Sequence, residues 1–321
     1  MRVLVLGGTG FVGGSIVREL LLTGHEVHVV HRGTTEPSQG PEAPHIHLSR
    51  DQLGPAWHDL GQTSFDAFVD VSPYSRADAR VVLRALPTDL RLLALSSMDV
   101  YRACAVLRGG SGDQAVPMDE HAALRDERFI YRDATNPDDD YEKLDVEEEY
   151  LSRGATILRL PMVYGQGDPQ RREEFILRRC RAKRTHIPIG VGSLLWSRGH
   201  VQDIARAARL ALELPDAAGQ IFNVCETRTW SFRQWSEKIA DAAGWAGEFV
   251  TVADDAVPAD MHLTRSFDQH LLFDASKARS MLSWAEADPQ VRLEASVNWH
   301  LTHPPEDDTD FRDDDTALGA P

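Results

Sequence analysis

The residues that announce chemistry most directly stand at the start of the chain. Gly7-Gly8-Thr9-Gly10-Phe11-Val12-Gly13 sets glycines at 7, 10 and 13 between a strand-like apolar run and a helix-like run. In that context the loop is built for a pyrophosphate. Gly7 permits the tight turn, Gly10 lets the backbone approach, and Gly13 allows the helix to pack on the strand. The phosphates then rest on the positive end of the helix, so Thr9, Phe11 and Val12 become cofactor contacts by position. The next strand-like run ends Val29-Val30-His31-Arg32-Gly33. An acid there would take the adenosine ribose 2′-hydroxyl, whereas Arg32 offers a fork to a 2′-phosphate. NADP(H) is therefore expected over NAD(H). Further cofactor contacts are expected at Asp51, Ser72, Pro161 and Val163. Arg171, Arg172, Arg178, Arg179, Arg181, Lys183 and Arg184 form a basic cluster. It suits either a phosphorylated substrate or a solvated helix face balanced by Glu173 and Glu174. His45-x-His47 lacks a third ligand at suitable spacing, so no metal is expected.

Five ordered motifs widen this picture. They are the glycine loop, Ser96-Ser97-Met98-Asp99-Val100-Tyr101, Arg159-Leu160-Pro161-Met162-Val163-Tyr164-Gly165, His200-Val201-Gln202-Asp203 and Phe222-Asn223-Val224. Together they make the chain, from about residue 1 to about 300, resemble the extended short-chain dehydrogenase/reductases of the NAD-dependent epimerase/dehydratase group. The resemblance implies that Ser97 and Tyr141 polarise a substrate oxygen. It implies a lysine four residues after the tyrosine, holding the nicotinamide ribose and lowering the phenol pKa. That position is Asp145. On a helix Lys143 would lie nearly opposite, so it is not expected to substitute. A carboxylate at 145 would disfavour tyrosinate while still accepting bonds from ribose hydroxyls. Asp99 occupies the place of a proton-abstracting carboxylate in the family's dehydratases. Trp196 stands where nucleotide-sugar members carry an arginine, with Arg198 nearby. The resemblance further implies a homodimer through the helix containing Tyr141.

These residues need a scaffold. Runs at Arg2–Leu6, Glu26–His31, Phe65–Val71, Leu90–Ser96 and Thr156–Leu160 alternate with helical stretches at 15–23, 77–86 and 140–151. Such alternation predicts an α/β fold with a doubly wound, Rossmann-type parallel sheet. The expected organisation is a dinucleotide-binding domain over 1–165, rejoined by about 200–225, with a smaller substrate lobe over 166–300. The acidic run beginning at Glu306 reads as a disordered tail over 304–321. Short strands are expected at 222–224 and 249–252, and helices at 175–183, 203–214 and 232–243. The formal net charge of −16 argues against a nucleic-acid partner. No apolar run is long enough to span a bilayer, and no signal segment is seen, so a cytoplasmic location is expected. Cys104, Cys180 and Cys225 fit isolated thiols better than a disulfide framework.

The function expected is that of an NADP(H)-dependent oxidoreductase or epimerase/dehydratase acting on a hydroxyl or keto group of a small molecule, sugar derivatives included. Two alternatives stay open. One is a lyase or isomerase using Tyr141, Asp99 and Asp145 as acid–base groups only. The other is a non-catalytic dinucleotide sensor.

Overall fold

The computed structural model describes residues 1–34, 43–60, 64–306 and 310–319. The chain begins with β1 (Arg2–Leu6), α1 (Phe11–Leu22), β2 (Glu26–His31), β3 (His45–His47), α2 (Leu53–Leu60), β4 (Ala67–Asp70), α3 (Arg76–Ala85) and β5 (Arg91–Ser97). After a long connection come α4 (Lys143–Leu151), β6 (Thr156–Leu160), β7 (Met162–Tyr164), α5 (Glu174–Arg181), β8 (His186–Ile189), β9 (Arg198–His200), α6 (Val201–Glu213) and β10 (Ile221–Asn223). The chain finishes with α7 (Phe232–Ala242), β11 (Glu248–Thr251), α8 (Ser276–Leu282), α9 (Pro289–Thr302) and α10 (Arg312–Ala317).

Seven strands form one sheet in the order β3-β2-β1-β4-β5-β6-β10, every pairing parallel. This is the Rossmann-type doubly wound arrangement. The central strands are apolar on both faces because helices cover both; β1 and β4 are buried almost throughout. Val3, Val5, Ile16, Leu20 and Ala208 belong to one core layer, and Leu4, Phe68, Val82 and Tyr150 to the other. The chain winds outward from β1 to β3, then returns to the far side of β1 as β4. A crevice opens at that reversal, beyond the carboxyl ends of β1 and β4.

A third core surrounds Ile176, Leu177, Trp235, Ile239, Leu293 and Val297, on α5, α7 and α9. Two short parallel pairs, β7–β9 and β8–β11, accompany it. The acidic end differs from expectation. Arg312–Ala317 is helical, and Asp314 is fully buried, accepting two bonds from the equally buried Arg179 at 2.8 and 2.6 Å. Phe311 lies beneath Arg178 and Arg184. Composition suggested a solvated tail, but Asp314 has a fixed cationic partner in Arg179 of α5 and Asp315 one in Arg184.

Among the described residues no helix is long and apolar enough to cross a membrane.

Candidate active site

The glycine loop closes between β1 and α1. Gly7 has φ +87° and donates its N–H to Val30 O at 2.9 Å. A Cβ on Gly13 would stand 2.1 Å from Gly7 O, so only glycine lets the helix sit this close. A Cβ on Gly10 would meet nothing within 4 Å, which leaves open space above the loop. The first turn of α1, with Phe11 and Val12, has no side-chain cap and no acidic residue. Its backbone N–H groups are thus available to an anion. Ser72 follows β4, and its Oγ is 3.1 Å from where a Gly7 Cβ would be. Arg32 is exposed just beyond β2. Asp51 is exposed on a 3₁₀ turn after β3. The preceding Arg50 turns inward and binds the fully buried Asp70, Nη2 to Oδ1 at 2.9 Å.

The carboxyl end of β5 carries the reactive groups. Ser97 is its last residue, and the chain there tightens into a 3₁₀ turn capped by Ser97 Oγ, which accepts from Asp99 N at 3.2 Å. Tyr141 Oη donates to Asp99 Oδ2 at 2.9 Å, and Tyr131 Oη donates to the same oxygen at 3.1 Å. The other oxygen, Asp99 Oδ1, is buried without a hydrogen-bond partner. Burial first, and then the Asp99 charge, push the Tyr141 phenol well above its ordinary pKa. Ser97, beside this phenol at the end of β5, opposes the shift. Ser97, Asp99, Tyr131 and Tyr141 line one cavity of about 850 Å³, together with Pro161, Trp196 and side chains of the C-terminal lobe. The Val163 side chain is buried in the sheet's core.

The lysine question is resolved by where the helix starts. α4 was expected from residue 140, but its first residue is Lys143. Glu142 is the N-cap, accepting from Leu144 N, and is held in place by buried bonds from Arg125 at 2.9 and 2.5 Å. Tyr141 therefore lies outside the helix, and helical spacing does not apply to it. Lys143 is buried and donates through Nζ to Pro73 O at 2.6 Å and Leu95 O at 3.1 Å. Its ammonium is 5.6 Å from the centre of the Tyr141 ring. Burial pushes this lysine down to about 8, although Asp99 and Asp70 oppose the shift. Asp145, the expected lysine position, is occupied elsewhere. Its Oδ1 accepts from Arg76 at 2.7 Å and Arg128 at 2.9 Å, and it is not part of the cavity lining. The expectation that Tyr141 and Lys143 lie nearly opposite on one helix is thus corrected.

The remaining motif residues hold the frame. Arg159 binds buried Glu147 at 2.9 and 2.7 Å and reaches Tyr101 Oη at 2.9 Å. Tyr101 in turn donates to Asn223 at 2.7 Å. These side chains tie α4, β6, β10 and the turn after β5 together. The basic cluster is also occupied: Arg171 pairs with Glu174, Arg172 with Asp168, Arg181 with Glu174 and Arg184 with Asp315.

The model of the NAD dependent epimerase/dehydratase family matches residues 3–101 and 143–225, more than half of the chain. The chain belongs to this family. It is an enzyme of the nicotinamide-dinucleotide type. A 2'-dehydrokanamycin reductase of Streptomyces kanamyceticus is 25% identical over 288 residues, covering 86% of this chain and 75% of the relative. The chloroplast stem-loop binding protein of 41 kDa b of Arabidopsis thaliana is 25% identical over 302 residues, covering 88% and 74%. Among solved structures, the UDP-glucose 4-epimerase of Thermotoga maritima, with UDP-glucose, has a TM-score of 0.69 at 18% identity, covering 94% of this chain and 99% of its own. The NAD-bound dTDP-glucose 4,6-dehydratase of Bacillus anthracis has a TM-score of 0.71 at 16% identity, covering 94% and 97%.

The family's cofactor fits these residues. The uncapped α1 terminus and the space over Gly10 suit a pyrophosphate. Lys143 has two carbonyl partners for its three N–H groups, leaving one donor for a ribose hydroxyl. Sequence reasoning missed Lys143 and Tyr131. For Lys143 no local signal marks the helix start, since glutamate is not among the residues favoured at an N-cap. Tyr131 sits in the long connection between β5 and α4, where no periodic pattern marks it.

Proposed function

We propose that this family member reduces a keto group, or oxidises the matching hydroxyl, on a saccharide-like small molecule, with NADP(H) as its dinucleotide. The observation that carries this reading is the cluster of Ser97, Asp99 and Tyr141 in one cavity, with the Lys143 ammonium buried behind it. Lys143, Ser72 and the glycine loop would hold the dinucleotide, and Arg32 would pair with its 2′-phosphate. Asp51 and Pro161 are proposed as outer contacts of the same ligand. When bound, the dinucleotide supplies or accepts hydride. Ser97 and Tyr141 orient the substrate oxygen by hydrogen bonds. Tyr141, kept as a neutral phenol, is suited to give a proton to that oxygen, which favours the reductive direction. Asp99, already bonded to the phenol, takes a proton from solvent in the cavity and passes it to the phenolate left on Tyr141. The 2'-dehydrokanamycin reductase relative supports a keto-saccharide substrate.

The test is a titration with NADPH and NADH followed by nicotinamide fluorescence, then absorbance at the nicotinamide band with a panel of keto-saccharides. The reading expects tighter NADPH binding and substrate-dependent oxidation. Binding without any redox change would favour a lyase or isomerase instead. The stem-loop binding relative motivates one control. With a formal net charge of −16, a stem-loop RNA is expected to leave the protein unbound in a gel-shift assay.

A further inference from the structure

The lining of the cavity carries three arginines, Arg171, Arg172 and Arg178, and three carboxylates, Asp99, Glu174 and Asp260. Each charge is answered within the protein. Arg171 pairs with Glu174 at 3.2 Å, Arg172 with the buried Asp168 at 3.0 Å, and Arg178 with Asp260 at 2.8 Å. Asp260 is held a second time by the fully buried Arg179, at 2.8 and 3.0 Å. Asp99 accepts from two phenols, and the buried Lys143 ammonium near it offsets its charge. Arg198 adds no cation to this wall. Its side chain is buried, donates through Nη1 to Trp230 O at 2.9 Å, and lies 4.3 Å from the centre of the Trp235 ring and 4.9 Å from that of Phe232. It is not part of the lining. A charged ligand group placed here would compete with a partner already in contact and would give up its own hydration to do so.

What the cavity offers instead is aromatic surface. Phe175, Trp196, Phe232 and Trp235 all belong to the lining. Phe232 and Trp235 are buried, whereas Trp196 and Phe175 are only partly covered. The Trp196 ring rests against Phe232, with centres 6.4 Å apart. Phe232 meets Trp235 edge-on at 5.7 Å, and Trp235 meets Phe175 at 5.9 Å. The indole of Trp196 is thus fixed at the end of a row of packed rings, with part of its surface left open. An aromatic face carries partial negative charge and attracts the polarised C–H groups of an uncharged sugar ring, and no ion pair has to break. Gln170 and His262, both exposed in the lining, supply hydrogen-bonding groups for hydroxyls.

We propose that Trp196 is the specificity-determining residue of this cavity: the substrate is an uncharged saccharide, and a ring of it remote from the reacting carbon stacks on the Trp196 indole. This rests on the dinucleotide-dependent reading above and specifies its substrate class.

The experiment uses full-length protein saturated with NADP⁺ and follows binding by isothermal titration calorimetry, at physiological ionic strength to screen the overall charge. The probes are maltose, an uncharged saccharide; UDP-glucose, an anionic one; and neamine, a cationic one. The expected result is that maltose binds at least about tenfold tighter than either charged probe. Trp196→Leu keeps apolar bulk against Phe232 and removes the aromatic face, so it should weaken maltose by roughly fivefold. Trp196→Phe should retain most of the wild-type affinity. NADP⁺ binding that persists in both variants shows that they are folded. Maltose affinity unchanged in Trp196→Leu, or lost equally in Trp196→Phe, would overturn the stacking. Equal or tighter binding of UDP-glucose or neamine, or binding of none of the probes, would overturn the proposal too. The NADP⁺ titration of the wild type is read separately, so absence of dinucleotide binding there marks failure of the functional reading rather than of the substrate class.

Discussion

Replacing Lys143 by methionine isolates the group on which cofactor holding turns. Methionine keeps much of the length of the buried stem and removes only the ammonium. In the wild-type chain Nζ makes bonds of 2.6 and 3.1 Å to Pro73 O and Leu95 O, with one N–H left for a ribose hydroxyl. A hydrogen bond from a charged donor contributes about 1.5–3 kcal/mol, which corresponds to roughly a 10- to 100-fold rise in the dinucleotide Kd. Fluorescence titration measures this directly. A pH series adds a second readout. Burial holds the ammonium at about 8, below its ordinary 10.5. The cation is therefore present below pH 8 and is lost as the pH rises through that value, so wild-type affinity should fall above pH 8 and the variant should not show that fall. The stability effect has the opposite sign. Between about 8 and 10.5 the unfolded chain keeps a proton that the folded chain has released, so this group's contribution to stability rises with pH. A Lys143→Met protein that binds NADPH as tightly as wild type, with the same pH profile, would refute the placement. The contrasting variant is Asp145→Lys, which restores the family's spacing but sets a cation beside Arg76 and Arg128. It should lower stability and leave dinucleotide affinity unchanged.

Other outcomes follow from the same geometry. Arg32→Ala should weaken NADPH by about tenfold, the size of one charge-assisted contact at an exposed site, and leave NADH unchanged; parallel titrations check it. Gly13→Ala forces a Cβ against Gly7 O and should cost about 1–3 kcal/mol in urea unfolding while abolishing dinucleotide binding. Asp314→Ala removes one of two carboxylates from buried Arg179 and should destabilise the protein by about 3 kcal/mol, measured by the same unfolding assay. If α10 were only a solvated tail, that change would be near zero.

The sheet was legible because parallel strands buried on both faces are nearly continuous apolar runs, as in Arg2–Leu6 and Arg91–Ser97. The glycine loop was legible because its flanks are a strand and a helix. The three-residue strands β7 and β9 are too short to show a period. α9 does carry a signal in the sequence, Asp288 as N-cap followed by Pro289 in the first turn. The acidic end was misread because its partner is remote: Arg179 lies 135 residues from Asp314, and composition alone cannot see that contact. Lys143 was misjudged for a local reason. Helical spacing read back to Tyr141 sets Lys143 on the opposite face, whereas the Glu142 cap starts the helix at Lys143, two residues after the tyrosine. A turn at that point lets residues two apart approach the same place, which a continuous helix forbids.

The central claim is that the dinucleotide's nicotinamide end lies over Lys143, next to Ser97 and Tyr141. A crystal structure of the NADP⁺ complex tests it most directly. The account predicts a nicotinamide-ribose hydroxyl within hydrogen-bonding distance of Lys143 Nζ, with the ring facing the cavity that holds Ser97 and Tyr141. A complex in which Lys143 touches no ribose hydroxyl, or in which the nicotinamide lies outside that cavity, would contradict it.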